Sequence, residues 1–457
     1  MRDLKRGTVR DLRRDNRAAV LWSLYLRQSH LSQPAPPQRV SRPDLSAATG
    51  LSAASVTNVV RELLDEGIVR ESGLADSDGG RPRAMLEMNL EYGYVIGVDV
   101  GETRTRIGMF DLTMAERAKI EYPLNARKHD VGVVVGQILS GLKAVVADSG
   151  VDPAKILGVG IGVPGIIQQG PEAIVHGQTY GWDAVPLERL LREGGLPPHL
   201  GQLFFDNGAK TMGQAELWFG AGRGTRNAIV VLIGSGVGAS LISGGSTYRA
   251  ATSSGAEFGH ITVVAGGRKC RCGASGCLRA YAGAEAILER YGRPITAMGP
   301  GTGKDQEAAL AELIAAAGSS PLAAAILEEA SQYLGVGIGS LINLFNPERV
   351  ILGGWAGLLL SDRLLPAIRE AARQHSLRHP FAATSIELGQ LGPGAVALGA
   401  ATLPMECFLD GVLGPGTSRQ PGQLASLTPP DDRGIASGRG SPPRRRTAPL
   451  NGERRPA

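Results

Sequence analysis

The sequence predicts an α/β protein in which a small helical module precedes two lobes of similar build. Three observations carry that expectation. "YVIGVDVGETRTRIGMFDL" (94–112) and "AIVVLIGSGVGASLISGG" (228–245) both read as apolar strand, glycine turn, apolar strand. Each is followed by a helical pattern, "VVVGQILSGLKAVVADSG" after the first and "PLAAAILEEASQYLGVGIGSLINLFN" after the second. Residues 1 to about 90 differ from both, being rich in Arg and carrying short helical spacings. At 457 residues the chain has room for two or three domains, each with its own core. A doubly wound dinucleotide-binding domain would alternate in the same way, but no GxGxxG opens a helix where that fold requires one.

The N-terminal module is legible element by element. The first helix is "NRAAVLWSLYLRQ", and "SQPAPPQRV" (32–40) is a loop leading to a helix pair. In "SRPDLSAATGLSAASVTNVVRELLDEGIVRE" (41–71), Pro43 and Asp44 suit a first helical turn, and Leu45 with Ala48 supplies the apolar face. Gly50 ends that helix and Ser52 caps the next, whose apolar positions are Val56, Val59, Leu63 and Leu64. Its outer face offers Ser52, Ala53, Ala54, Ser55, Thr57, Asn58 and Arg61. Small and amide side chains at a helix N-terminus allow close approach to a major groove and then hydrogen bonds to base edges. "IVRESGLADSDGGRPRAMLEM" (68–88) follows as strand, turn and strand, a wing whose "GGRPR" strip carries Arg81 toward a minor groove. Together these predict a winged helix-turn-helix on double-stranded DNA; a helix pair used for protein contacts alone is the alternative.

"EFGHITVVAGGRKCRCGASGC" (257–277) holds His260 and a C-x-C-x4-C run at Cys270, Cys272 and Cys277. Three thiolates and one imidazole make a closed tetrahedral zinc site, with no open position for chemistry, so the expected Zn2+ is structural. Cys407 is remote and reads as a core residue.

The formal charge of +5 permits a nucleic-acid partner without demanding one. "MRDLKRGTVRDLRRDNR" has no apolar core of a secretory leader, and "AIVVLIGSGVGASLI" is broken by glycines and too short to span a bilayer. The expected location is the cytoplasm, at the nucleoid, with no membrane partner. Residues 411–457 are Pro, Gly, Ser and Arg with little to bury, which predicts a disordered basic tail.

With these pieces in order, residues 15 to about 405 resemble the ROK family (repressors, open reading frames, kinases), and within it the xylose-repressor-like regulators. The resemblance rests on the winged segment ending in "GGRP", on "VDVGETRTRIG", "GVGIGVPGII", "IGSGVGASL" and "GAEFGH", on the cysteine loop and on "VILGG". It implies a two-lobed actin-like (ribonuclease H-like) fold with sugar and nucleotide in the cleft. The domains expected are a winged helix-turn-helix at 1–90, a first lobe at 91–205 completed by a closing helix at about 393–405, a second lobe with the zinc loop at 206–392, and the tail. A homodimer or dimer of dimers is also implied.

Against that family pattern the chain departs at three places. The family's kinases carry an Asn-Asp pair on the strand that reads "FFDNGAK" here. Asn207 keeps the Asn, but Gly208 stands where the Asp would take the proton from the sugar hydroxyl. Asp206, the alternative base, is displaced by about 6–7 Å along the strand, whereas a base acts at about 3 Å. Glu102 replaces a glycine of the first phosphate hairpin, where a carboxylate repels a γ-phosphate. Arg279 replaces the family's sugar-binding glutamate, two residues past the last cysteine. The sugar-binding equivalents that remain are Asn207, Glu257 and His260. Asp99, Gly101, Thr103, Gly234, Gly236 and Gly353 are the residues a vestigial nucleotide site would use, or that serve only the turns. The function expected is a transcriptional regulator, a repressor of carbohydrate genes, that senses a sugar-like effector without phosphorylating it; an ATP-dependent sugar kinase with a relocated base is the alternative.

Overall fold

The computed structural model describes residues 9–28, 39–75, 82–124, 130–177, 180–200, 202–293 and 305–411. The turn of the expected wing with Arg81, most of the loop at 32–40 and the tail beyond residue 411 lie outside the described residues.

The N-terminal module contains α1 (Val9–Gln28), β1 (Val40–Ser41), α2 (Arg42–Thr49), α3 (Ala53–Asp65), β2 (Val69–Ala75) and β3 (Arg83–Met88). Asp44 accepts from the Ser41 backbone N–H at 2.9 Å, fixing the start of α2, and Gly50 ends it in the left-handed region at φ 70°. Ser52 caps α3 by accepting from the Ser55 N–H at 3.1 Å. The buried stripe of α3 is Val56, Val59, Val60 and Leu63. Leu64, expected in the core, is only half-buried, because eight residues on from Val56 at 100° each it has drifted off the stripe that Val60 occupies. The three strands pair in the order β1-β3-β2, with β2 and β3 antiparallel.

The first lobe follows: β4 (Tyr94–Val100), β5 (Arg104–Asp111), β6 (Glu116–Pro123), α4 (Val131–Ser149), β7 (Ile156–Val163), a three-strand meander of β8 (Ile166–Gln168), β9 (Ile174–Gly177) and β10 (Trp182–Val185), then α5 (Leu187–Glu193) and β11 (Leu203–Asn207). The second comprises α6 (Gly208–Phe219), β12 (Ala228–Ile233), β13 (Val237–Ser243), β14 (Ser246–Thr247), α7 (Arg279–Ala282), α8 (Ala284–Arg290), α9 (Gln306–Ala316), α10 (Pro321–Phe345), β15 (Arg349–Gly353), α11 (Trp355–Gln374), α12 (Arg378–Ala383) and β16 (Ser385–Leu388). The last helix is α13 (Ala395–Leu409).

Each main sheet has five strands, β11-β7-β4-β5-β6 and β14-β13-β12-β15-β16. Numbered from its own hairpin, each runs 3-2-1-4-5, with the first two strands antiparallel and the first, fourth and fifth parallel. The echo between the two sequence hairpins is therefore an echo of whole sheets. Helix α4 is long and apolar enough to cross a membrane, but it lays Val134, Ile138, Leu142 and Val145 into the first lobe's core.

Helix α13 lies across the first sheet. A Cβ on Gly97 of β4 would stand 1.9 Å from the Ala397 carbonyl oxygen, and one on Gly160 of β7 would stand 1.8 Å from that of Ala400. Only glycine admits a helix backbone that close to the strands. Packed this way, α13 places Met405, Phe408 and Leu409 in one core with Val95, Phe110 and Leu112 of the first lobe and with Leu21, Leu24, Leu45, Leu63 and Leu86 of the N-terminal module. The second lobe has a separate core, around Ile229, Leu310, Leu334, Ile338 and Leu352.

Candidate functional site

The two hairpin turns face each other across a cavity of about 520 Å³. It is lined by Asp99, Gly101, Glu102, Thr103, Asn207 and Gly208 and by Glu257, His260 and Arg279. Strand β11 runs parallel to β7, so Asn207 emerges at the carboxyl ends of the strands, the usual place for ligands in open α/β sheets. There it also caps α6: its Oδ1 accepts from the N–H groups of Ala209 at 2.8 Å and Lys210 at 3.3 Å, while its Nδ2 donates to the Gly165 carbonyl at 2.8 Å.

Gly208 faces this cavity, and a Cβ built on it meets nothing nearer than Val396 at 3.6 Å. The position has room for a side chain and carries none. Asp206 is buried on the other face of the strand, is not among the cavity-lining residues, and is held in an ion pair by Arg249. Its Oδ1 also accepts from the Asn207 N–H at 2.8 Å.

Glu257 stands on a short turn before the cysteine loop; burial pushes its carboxyl up, against the opposing pull of Lys210 and Arg279. Burial pushes the Lys210 ammonium down, and its Nζ donates to the Ser253 carbonyl. Asp99 is lifted by burial to about 7, although Arg106 lies 3.8 Å away. Of the expected nucleotide residues, Asp99, Gly101, Thr103, Gly234 and Gly236 line the cavity. Gly353 does not: a Cβ added to it would stand 3.4 Å from Met212, and its neighbour Gly354 takes the lining position at φ 81°.

Ion pairs cross the cleft. Arg104 of the first lobe reaches Asp305 at 2.7 Å and Glu307 at 3.1 Å, both at the start of α9 in the second. Glu102 and Arg279, two of the three positions read from the sequence as departures from the family pattern, approach each other at 3.6 Å. The sequence reading missed Lys210, Arg104, Arg249 and the pairing of Glu102 with Arg279. Only the unusual residue types at 102 and 279 could have signalled that last contact.

The ligand atoms of His260, Cys270, Cys272 and Cys277 all lie within 4.8 Å of one another. The Cys270 Sγ to His260 Nδ1 and Cys272 Sγ to Cys277 Sγ distances are both 3.8 Å. A tetrahedron with metal–sulfur bonds of about 2.3 Å has edges of about 3.8 Å, so this donor set fits a closed metal site. The loop is tied to the cleft through His260, which belongs to both.

On α3, Ser52, Ala53, Ala54, Thr57, Asn58 and Arg61 are exposed and Ser55 is half-buried. Ser52 is occupied as the cap, and Thr57 Oγ1 donates back to the Ala53 carbonyl at 2.7 Å. Asn58 Oδ1 accepts from Arg61 at 3.1 Å, aligning these two long polar groups side by side on the open face.

A model of the ROK family matches residues 95–406, more than half of the chain. The chain belongs to the ROK family. It is 30% identical over 380 residues to the xylose repressor of Caldicellulosiruptor bescii, covering 81% of this chain and 92% of that one. A solved ROK family transcriptional regulator, homologous to Mlc of E. coli, shares the fold with a TM-score of 0.68 at 24% identity, over 88% of this chain and 98% of its own. A ROK family glucokinase from Streptomyces griseus, solved with glucose and AMPPNP, gives a TM-score of 0.57 at 26% identity, over 68% of this chain and 99% of its own. The regulators thus cover more of this ROK chain than the glucokinase does.

Proposed function

We propose that this protein is a DNA-binding transcriptional regulator, a repressor of carbohydrate-metabolism genes, that senses a sugar-like effector in a kinase-derived cleft without phosphorylating it. The observation that carries the reading is Gly208: the cleft has space for a side chain at the position where the base is expected, and the residue there carries none. The relocated-base alternative loses support because Asp206 is buried against Arg249. Likeness to a xylose repressor along most of both chains supports the regulatory role.

Helix α6 offers the route from effector to DNA. Its first turn is capped by Asn207 in the cleft, and its last turn presents Trp218, which packs edge-on against Trp22 of α1 at 5.2 Å. Twelve residues at 1.5 Å each separate the two ends by about 18 Å. An effector that draws on Asn207, Glu257 and His260 would move this helix and the N-terminal module with it. It does so only if it binds one arrangement better than the other. In a two-fold homodimer or dimer of dimers, two copies of α3 would read successive major-groove faces of an operator through Ser52, Ser55, Thr57, Asn58 and Arg61, with Arg81 in the minor groove. The closed His260, Cys270, Cys272, Cys277 set would hold a structural Zn2+. Such a regulator works in the cytoplasm, at the nucleoid.

Gel-shift titration against DNA upstream of the gene tests this reading. Affinity should fall steeply between low and physiological salt, and Arg81→Ala should reduce the salt slope by about one. Salt-insensitive binding, or none, would sink it. A coupled ATPase assay over a sugar panel gives the second check: turnover that disappears in Asp206→Ala would make the protein a kinase.

A further inference from the structure

The side chain of Arg279 has loose ion-pair neighbours and a donor left without a hydrogen bond. It is 8% exposed and lines the cleft, yet its Nη2 is buried with no hydrogen-bond partner. Among the described cavity-lining residues it is the one with such an orphaned side-chain atom. Its guanidinium lies against the turn of the second hairpin: a Cβ added to Gly236 would stand 2.8 Å from the Arg279 Cζ, so glycine there admits the cation. Two carboxylates approach without bonding to it, Glu102 at 3.6 Å and Glu285 at 3.7 Å, and Glu285 is already paired with Arg271.

A guanidinium donates and never accepts, so no effector hydroxyl proton can be placed on it. A neutral hydroxyl oxygen can accept from it, but the stronger complement is an oxyanion, which a guanidinium holds through short, charge-assisted, often paired bonds. Glu102 marks the place: a carboxylate is already drawn toward Arg279, stopping just beyond hydrogen-bond length. Glu257, His260 and Asn207 line the same cavity, with polar groups suited to hydroxyls.

We infer that the effector is a sugar bearing an oxyanion, a carboxylate or a phosphate, which Arg279 reads as Glu102 is displaced. This rests on the reading of the cleft as a sugar-like effector site and narrows it. Because Glu102 belongs to the first lobe and Arg279 to the second, the incoming anion replaces a contact between lobes with one inside a lobe. Recognition then removes one contact between the lobes and leaves those of Arg104 with Asp305 and Glu307 in place.

The test is isothermal titration calorimetry on the full-length protein with glucose and xylose, with glucuronate and galacturonate, with glucose 6-phosphate, and with inorganic phosphate alone. Charged sugars should bind about 10- to 100-fold more tightly than their neutral parents, the range expected of a charge-assisted hydrogen bond. The uronate and phosphate arms tell which oxyanion is meant, and inorganic phosphate should bind more weakly than either sugar class. Arg279→Gln should erase the preference, Arg279→Lys should keep part of it, and Glu102→Gln should strengthen charged sugars severalfold by removing their competitor. The wild-type panel decides the matter even if a variant fails to fold. Neutral sugars that bind as tightly as charged ones and release DNA would overturn the inference and leave the sensor reading standing. If no sugar of either kind binds or affects DNA binding, both fall.

Discussion

The two lobes have the same strand order and have been put to different uses. The first lobe's hairpin turn carries charge (Asp99, Glu102, Arg104 and Arg106), whereas the second lobe's turn is the bare run Gly234, Ser235, Gly236. The first shares its core with the N-terminal module and α13; the second keeps its largest core apart, adds the cysteine loop, and reaches the module through α6, whose Phe219 enters the shared core and whose Trp218 packs on Trp22. A duplicated frame can therefore separate output from input. On the function proposed above, one copy is joined to the module that would face DNA, and the other holds Glu257, His260 and Arg279, which would face the ligand.

The strongest way to break this contrast is Phe408→Ala. Phe408 is fully buried in the core that joins α13, the first lobe and the N-terminal module. Its loss should cost about 3–5 kcal/mol. Urea unfolding followed by Trp fluorescence should show the N-terminal module and first lobe lost together, at a lower midpoint than wild type. A module that melts separately from the first lobe would dissolve this distinction between the lobes.

Metal removal addresses the other lobe. Intact-mass analysis under native conditions should find one zinc per chain, absent in Cys270→Ser. Chelation should lower the second lobe's Tm by about 5 °C, corresponding to roughly 2 kcal/mol for a unit of this size. The first lobe's unfolding should respond less. Equal losses in both would mean that the loop supports the whole molecule.

Asp99 sharpens the contrast between the hairpins. Burial lifts its folded pKa to about 7, above the usual carboxylate value near 4. Between those values the unfolded chain gives up the proton and the folded chain keeps it. Its stabilising contribution is thus complete below about pH 4 and is lost as pH rises toward 7. Asp99→Asn should flatten that decline, by at most about 3 kcal/mol between pH 5 and pH 8. Denaturant midpoints across that range provide the check; parallel curves for the two proteins would show that Asp99 does not titrate there.

Much of this was legible in the sequence because its signals are local. The hairpins announce themselves by apolar runs around glycine, α3 by its period and cap, and the cysteine loop by spacing. The expectation of an absent base comes from counting along the segment that holds "FFDNGAK"; Gly208 itself lines the cleft. What escaped depends on distant pairs. Glu102 meets Arg279 across 177 positions, and Arg249 meets Asp206 across 43. No local pattern encodes such a meeting. Gly353 falls outside the cavity lining while Gly354 is in it, because composition at a Gly-Gly pair ending a strand does not say which residue turns toward the cleft. The exchange of Val60 for Leu64 on α3 shows the same limit at smaller scale, since propensity favours Leu but phase favours Val.

Helix α13 has a consequence for the order in which this chain can mature. It follows every strand of both sheets, yet the core beneath the N-terminal module is incomplete without Met405, Phe408 and Leu409. A growing polypeptide on the ribosome would have its operator-facing end synthesised first and secured last. Half-made copies would thus be poor competitors for promoter sites, and a regulator could engage the genome only after its sensing apparatus had been built.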